Sequence, residues 1–309
     1  MNLATICKNS WRQPAGMVDV HHMSFGEALM LVPKAFVSGT GLQGLWNAMG
    51  SGAIIGTSTA GLTNASAKDT ALGGLLGEVG GAAGYGTSLG LHAAMDALQK
   101  SLPCLYTVIN ASEFLGGGKM IEEWPHFAAA MAAINGGMAG GREIYNFRDG
   151  SGFLAFGLDS SWSLDDTFRG NLLQFTVAQQ YDAAKSAGQN RTVYDHGLIL
   201  NGSGYAHTQG NVTIAMDEAP NAYSHEGTHI LQSHIFGPTF DPLYMSFSAV
   251  EGLVGIGVWM SGGLIISPQQ GLNDVQWFGY YANPFELWAY GQNWGAWQYH
   301  TSELNPGAH

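Results

Sequence analysis

The chain has 309 residues, of which 46% are hydrophobic, enough for a full core in one large or two modest domains. Charged residues make up 11% and the net charge is −12, which argues against nucleic-acid binding and against a polybasic membrane anchor. Cys7 and Cys104 are too few and too far apart for a disulfide framework. Because 11–14 (Trp-Arg-Gln-Pro) interrupts the N-terminal segment early, we expect no cleavable signal peptide.

Residues 1–150 are rich in glycine and alanine and predict a helical region. No charged residue occurs over 35–67. Glycines recur four residues apart at several places, among them Gly52 and Gly56, Gly73 and Gly77, Gly80 and Gly84, Gly86 and Gly90, Gly136 and Gly140. Such spacing lets helices approach closely, in a tight soluble bundle or in lipid. The runs contain Gly, Ser, Thr and Asn rather than Leu or Ile, which favours compact helical hairpins, with membrane contact as the alternative.

The turn-rich segment 148–152 predicts a boundary between this region and a second domain, 151–309. In that domain 192–200 and 211–216 have the pattern of strands, with a turn at 201–204. We therefore predict a β-hairpin beside the helix that follows. The expected fold class is α+β, predominantly helical, with a small hairpin or sheet.

The segment 224–229 reads Ser-His-Glu-Gly-Thr-His. Positions i and i+4 of a helix share one face, so His225 and His229 can bind the same metal ion. Glu226 lies about 100° round that helix, where its carboxylate can act as a general base toward water rather than as a ligand. The alternative is a buried helix whose histidines only satisfy hydrogen bonds.

The flanks of this segment define the expected helix. Asp217 and Asn221 are candidate N-caps, and Gly237 before Pro238 is typical of a C′ glycine followed by a helix-stopping proline. The pattern predicts a helix over roughly 218–236. His234 follows His229 by five residues and falls on the wrong side of the helix for the same ion, so we expect it at the surface or behind the ligands.

A catalytic zinc site has three protein ligands and keeps a fourth position open. The third candidate is Glu286, in a second predicted helix where Asn283 serves as N-cap and Pro284 occupies the first turn. A glutamate three residues after an N-cap can instead reach back to it in a capping box. The local sequence does not distinguish the two roles.

A helical His-Glu-x-x-His followed some 57 residues later by a glutamate resembles the gluzincin class of zinc peptidases. Closer still are poorly characterised bacterial metallopeptidase-like domains, some carried by polymorphic toxins, that combine His-Glu-x-x-His-x-x-Gln, Gly-Pro and Asn-Pro-Phe-Glu. Those motifs stand here at 225–232, 237–238 and 283–286, and 158–164 and 208–212 also look like segments of such proteins.

The resemblance covers about 150–297. It implies Zn²⁺ as cofactor, bound by His225, His229 and Glu286. It also implies a peptide or protein substrate, with Glu226 as the catalytic base. The Gly227-Thr228 pair departs from the bulky-then-glycine order that is more usual between the ligands.

Four further side chains could polarise a developing oxyanion: His196 and His207 on the predicted hairpin, and Tyr281 and Tyr290 beside Glu286. Ordinary packing is the alternative for each. The leading hypothesis is a zinc-dependent hydrolase, a metallopeptidase by resemblance. The second is a membrane-active or pore-forming, toxin-like protein with a structural or vestigial zinc site, and the third is a binding domain without chemistry. The sequence does not determine the oligomeric state or the cellular compartment of the protein.

Overall fold

The computed structural model describes residues 41–63, 65–116, 118–148, 150–198, 205–217, 223–263 and 277–291. Its α-helices are α1 Gly41–Leu62, α2 Ala67–Ser101, α3 Pro103–Gly116, α4 Gly118–Glu123, α5 Pro125–Arg142, α6 Gly150–Asp159, α7 Leu164–Thr176, α8 Ala183–Gln189, α9 Tyr223–Phe236, α10 Phe240–Gly263 and α11 Pro284–Tyr290. The 3₁₀-helix Gly237–Thr239 joins α9 to α10, and the π-helical turn Trp277–Tyr281 precedes α11. The strands are β1 Ala178–Tyr181, β2 Thr192–Gly197, β3 His207–Gln209 and β4 Val212–Ile214. The predicted class, predominantly helical α+β, is confirmed.

Apart from the gaps given above, the chain divides into two compact units. The first comprises 41–92 and 120–144, and the second comprises 93–119 and 145–291. The boundary that composition places near 148–152 lies just inside the second unit. The assignment of 93–119 to the second unit has no counterpart in the sequence-based division.

Helices of the first unit pack backbone against backbone at glycines. A Cβ added to Gly77 in α2 would lie 2.7 Å from the Cα of Gly56 in α1, and one added to Gly136 in α5 would lie 2.6 Å from the Gly77 nitrogen. The pairs at 52/56, 73/77, 80/84 and 136/140 all meet such neighbours, so their predicted role is confirmed. That role is wrong for Gly86 and Gly90, where an added Cβ would meet nothing within 4 Å.

Small side chains occupy many of the buried positions of this first unit, and several large apolar side chains of α1 and α2 are exposed. The buried positions include Ala48, Ala60 and the alanines of α5. Seven large side chains of α1 and α2 are exposed: Leu42, Trp46, Ile54, Leu62, Leu75, Val79 and Leu89. Glycine and alanine allow the close approach, and the large residues are then excluded from the contact. Among the helices that the structure describes, none is both long and apolar enough to cross a membrane.

The second unit contains a mixed four-stranded sheet with strand order β1-β2-β4-β3. Strands β2 and β4 run parallel, with Thr192 opposite Val212, so the predicted hairpin between these two segments is wrong. The hairpin is instead β3–β4, which turns at Gly210 with a φ of 55°. A parallel pair needs a crossover between its strands, and β3 is part of the chain that makes it.

The middle of the sheet is buried on both faces. Tyr194, Val212 and Ile214 form its apolar core, against which Leu173 of α7 and Tyr181 of β1 pack. The neighbouring helix α7 contacts both β3 and β4, while β3 also contacts α9. The outer strand β3 is therefore held beside the helix that carries the predicted metal ligands.

A buried polar cluster joins α7, β3 and α10. Arg169 binds Asp165 at 3.0 Å and also pairs with Asp241, while Gln209 donates to Asp241 at 2.9 Å and to Asp166. Burial raises the pKa of Asp165 to about 6. Burial, together with the charge of Asp166, also raises the pKa of Asp241. The cluster fixes the start of α10 and the end of β3 relative to α7.

Candidate metal centre

Helix α9 brings two imidazole rings together. His225 and His229 are buried, their ring centroids are 4.7 Å apart, and their Nε2 atoms approach to 3.1 Å. The helix ends at Phe236 and Gly237 has a φ of 54°, as a C′ glycine requires. The predicted C-terminal end is therefore confirmed, while 218–222 of the predicted helix lies outside the described residues.

Helix α11 delivers the third group. Asn283 is its N-cap and accepts a hydrogen bond from the Phe285 N–H at 3.0 Å, as predicted. The Asn283 N–H donates to Tyr280 O, so the capping-box alternative for Glu286 is not realised. Instead the buried Glu286 carboxylate lies 3.2 Å from His225 Nε2 and 3.4 Å from His229 Nε2.

These separations fit a zinc ion. Bonds of about 2.0–2.1 Å in a tetrahedron put neighbouring ligand atoms about 3.3–3.4 Å apart. The closest approaches among His225, His229 and Glu286 are 3.1, 3.2 and 3.4 Å. Across the part of the chain that the structure describes, this is the group of His, Cys, Asp or Glu side chains whose geometry suits a metal ion. Two imidazoles and one carboxylate are also a donor set that zinc accepts.

Electrostatics hold the three groups together without a metal. Burial disfavours the charged form of His229, but the adjacent Glu286 carboxylate outweighs this and raises the pKa of His229 to about 9. Burial likewise opposes ionisation of Glu286, but the charge of His229 and hydrogen bonds from both histidines hold its pKa well below the usual range. At neutral pH the metal-free centre therefore contains an ion pair, and a metal must displace the proton of His229.

Tyrosines surround the centre. The Tyr244 hydroxyl donates to Glu286 Oε1 at 2.6 Å, and the Tyr290 ring lies over His225 with centroids 4.2 Å apart. Burial and the Glu286 charge raise the pKa of Tyr244 well above its ordinary value. Tyr281 is buried, and its hydroxyl lies 3.4 Å from that of Tyr205. Tyr244 carries no local signal in the sequence, because α10 reaches Glu286 only through tertiary packing.

Glu226 lies beside the ligands rather than among them. Its side chain is 4% exposed, and its Oε2 has no hydrogen-bond partner within the described residues. Its charge acts on His229 and on His207. A buried carboxylate oxygen without a donor is available to water or substrate.

The two candidate histidines of the sheet lie in different surroundings. His207 keeps part of its surface in solvent, yet desolvation of its ring lowers its pKa, against the charges of Glu226 and Glu286. His196 lies on β2 and interacts with Asp217. The structure thus brings His207 within electrostatic range of the centre and places His196 with another partner.

Residues behind the ligands anchor α9. His234 binds the buried Asp159 of α6 at 2.7 Å, which raises the pKa of His234 although its burial opposes this. Gln232 binds both His229 and the backbone of Phe285. In the sequence, Gln232 stands out only as the last residue of the motif at 225–232. Its spacing of three from His229 was the available signal, because such residues are neighbours on a helix.

Comparison of the chain with protein-family models, with curated proteins and with solved structures gives no match. Function must therefore be inferred from the residues of the centre and from the sequence motifs.

Proposed function

We propose that this protein is a zinc-dependent hydrolase that cleaves peptide bonds, with Zn²⁺ held by His225, His229 and Glu286. The observation that carries the proposal is the mutual approach of three buried ligand groups to 3.1–3.4 Å, at the separations that tetrahedral zinc requires. Their burial excludes the ordinary explanation of an exposed, solvated acidic group.

The protein's own groups supply the remaining chemistry. A zinc ion held by these residues would act as a Lewis acid and would lower the pKa of a bound water toward neutrality. Glu226 is the base in this proposal. Its buried carboxylate accepts a proton from the attacking water and delivers that proton to the leaving amine.

The substrate side of the proposal involves β3. This strand is at the end of the strand order and contacts α9, so an extended peptide could add to the sheet next to the centre. His207 is on this strand, and its lowered pKa keeps the ring neutral near pH 7. A neutral imidazole can donate one hydrogen bond to a developing oxyanion. The choice of a peptide amide over other amides or esters comes from the family resemblance.

Metal content tests the centre before any substrate is known. We expect about one zinc per chain in the wild type and none in His229→Ala or Glu286→Ala, because affinity depends on all the ligands. His234→Gln is the matched control, since it changes a histidine of the same helix that binds Asp159. Absence of zinc from wild type purified in the presence of the metal would refute the proposal.

Activity tests the role of the base. Glu226→Gln should retain zinc and lose peptide cleavage by a factor on the order of a hundred or more, the usual contribution of a general base. A peptide library screened with wild type and this variant provides the measurement. Equal cleavage by both would show that Glu226 is not the base.

The first unit supports a second candidate, membrane activity. The observation in its favour is the arrangement of glycine contacts inside and large apolar side chains outside, such as Trp46, Ile54 and Leu75. Dye release from lipid vesicles is the test, performed with and without a chelator. Release that persists after chelation and falls in Trp46→Ser would support this candidate, and absence of release would remove it.

A further inference from the structure

The amide of Gln232 makes two hydrogen bonds in the interior of the second unit. Gln232 is 0% exposed and lies one turn after His229 on α9. Its Nε2 donates to the backbone carbonyl of Phe285 at 2.8 Å, and its Oε1 lies 2.9 Å from His229 Nδ1. One side chain thus contacts a ligand on α9 and the residue before the ligand on α11.

The two bonds determine each other's direction. A backbone carbonyl can only accept, so the NH₂ end of the Gln232 amide must face Phe285. The remaining amide oxygen also can only accept, so His229 Nδ1 must carry a proton. When the His229 ring is neutral, its lone pair is then on Nε2, the atom that approaches His225 and Glu286. The Phe285 carbonyl thereby selects the nitrogen of His229 that can bind a metal.

The same amide also fixes the position of α11. Phe285 immediately precedes Glu286, and Tyr244 holds the Glu286 carboxylate from the other side at 2.6 Å. Because Gln232 belongs to the helix of the two histidines, its bond to Phe285 sets the distance between α9 and the third ligand. His225 differs, since its Nδ1 is buried and has no hydrogen-bond partner among the described residues.

We infer that Gln232 is a positioning residue of the centre, which fixes the metal-binding face of His229 and the distance from α9 to Glu286. The inference rests on the proposed function for its metal, while the two hydrogen bonds that carry it are present without one. Outer partners of metal-binding histidines typically contribute 10–100-fold to metal affinity.

The test compares Gln232→Met, which removes both hydrogen bonds at similar volume, with Gln232→Glu, which keeps an acceptor for Nδ1–H but cannot donate to Phe285 O when ionised. Gln174→Met is the matched control, because Gln174 is another buried glutamine and it binds Asn171 and Tyr194. Zinc affinity is measured by competition with a chromophoric chelator. The tautomer of the neutral His229 ring is followed by long-range proton–nitrogen NMR, which detects both ring nitrogens through the carbon-bound protons, in the metal-free protein at a pH above the His229 pKa of about 9.

We expect zinc affinity to fall about 10–100-fold in Gln232→Met and to stay unchanged in Gln174→Met. The Nδ1–H tautomer of the neutral ring should be the main form in wild type and Gln232→Glu, and Gln232→Met should lose this preference. If Gln232→Met does not fold, Gln232→Glu still tests the bond to Phe285 through its zinc affinity, which should fall while the Nδ1–H tautomer stays the main form.

Unchanged zinc affinity in folded Gln232 variants, or an unchanged preference for the Nδ1–H tautomer in Gln232→Met, would overturn the inference. Failure of the proposed function has a different signature, namely no zinc in wild type. In that case the NMR comparison, which needs no metal, decides by itself whether Gln232 sets the His229 ring.

Discussion

The glycine contacts of the first unit allow a sharp test of its packing. Gly77 and Gly86 are both in α2, but an added Cβ at Gly77 would lie 2.7 Å from Gly56 Cα, whereas at Gly86 it would meet nothing within 4 Å. Ordinary contact begins near 3.4 Å. Alanine at Gly77 therefore requires α1 and α2 to separate, because the opposing atoms are backbone.

The expected magnitudes follow from two opposing effects. Replacing glycine by alanine in an exposed helix stabilises the fold by about 1 kcal/mol. Forcing an extra carbon into a close contact costs about 3 kcal/mol, at the upper end of the usual range because backbone cannot rotate away. Gly86→Ala should thus raise the free energy of unfolding by about 1 kcal/mol, and Gly77→Ala should lower it by about 2 kcal/mol.

Urea unfolding followed by far-ultraviolet circular dichroism measures both variants against wild type. Gly90→Ala is a second control, since it also faces open space in α2. The expected gap between Gly77→Ala and the two controls is about 3 kcal/mol. If Gly77→Ala were as stable as Gly86→Ala, the close approach of α1 and α2 would be refuted.

Three further outcomes are expected in the second unit. The pKa of Asp165 is raised from 3.8 to about 6, so the folded state binds the Asp165 proton more tightly than the unfolded state does. The free energy of unfolding should therefore fall by about 3 kcal/mol as pH rises from about 4 to about 6. Asp165→Asn should show a smaller fall than wild type in urea titrations, since Asp241 also has a raised pKa and still titrates. An unchanged pH dependence would contradict the assignment. Asn283→Ala removes an N-cap and two other hydrogen bonds, to Tyr244 O and Ser248 Oγ. It should lower the free energy of unfolding by about 2 kcal/mol, and an unchanged free energy of unfolding would contradict this expectation. Zinc at about one hundred times its Kd should raise the free energy of unfolding by about 2.7 kcal/mol in wild type, and an equal rise in His229→Ala would argue against the ligand set.

Local sequence signals predicted the ends of the elements that carry the centre. Gly237 before Pro238 predicted the end of α9, because a residue with positive φ followed by proline cannot continue a helix. Asn283 before Pro284 predicted the start of α11 for similarly local reasons. The pairing of His225 with His229 needed only the period of a helix.

Long-range contacts were not predictable in this way. The parallel pairing of β2 with β4 depends on the burial of Tyr194 and Val212 in a common core, whereas the turn residues at 201–204 suggested a simple hairpin. Likewise the capping-box role of Glu286 was locally as good as the ligand role. Contacts of Glu286 with Tyr244 and with the histidines of α9, distant in sequence, exclude the capping box.

The proposed ligands on α9 and α11 enclose a long stretch of chain. His229 and Glu286 are 57 residues apart (286 − 229), and all of α10 lies between them. An ion that joined them would act as a cross-link, and closing a loop of this length removes chain entropy worth about 4 kcal/mol from the unfolded state. A protease that cut once within α10 would then leave a nicked chain whose two pieces separate at a lower denaturant concentration once a chelator is added.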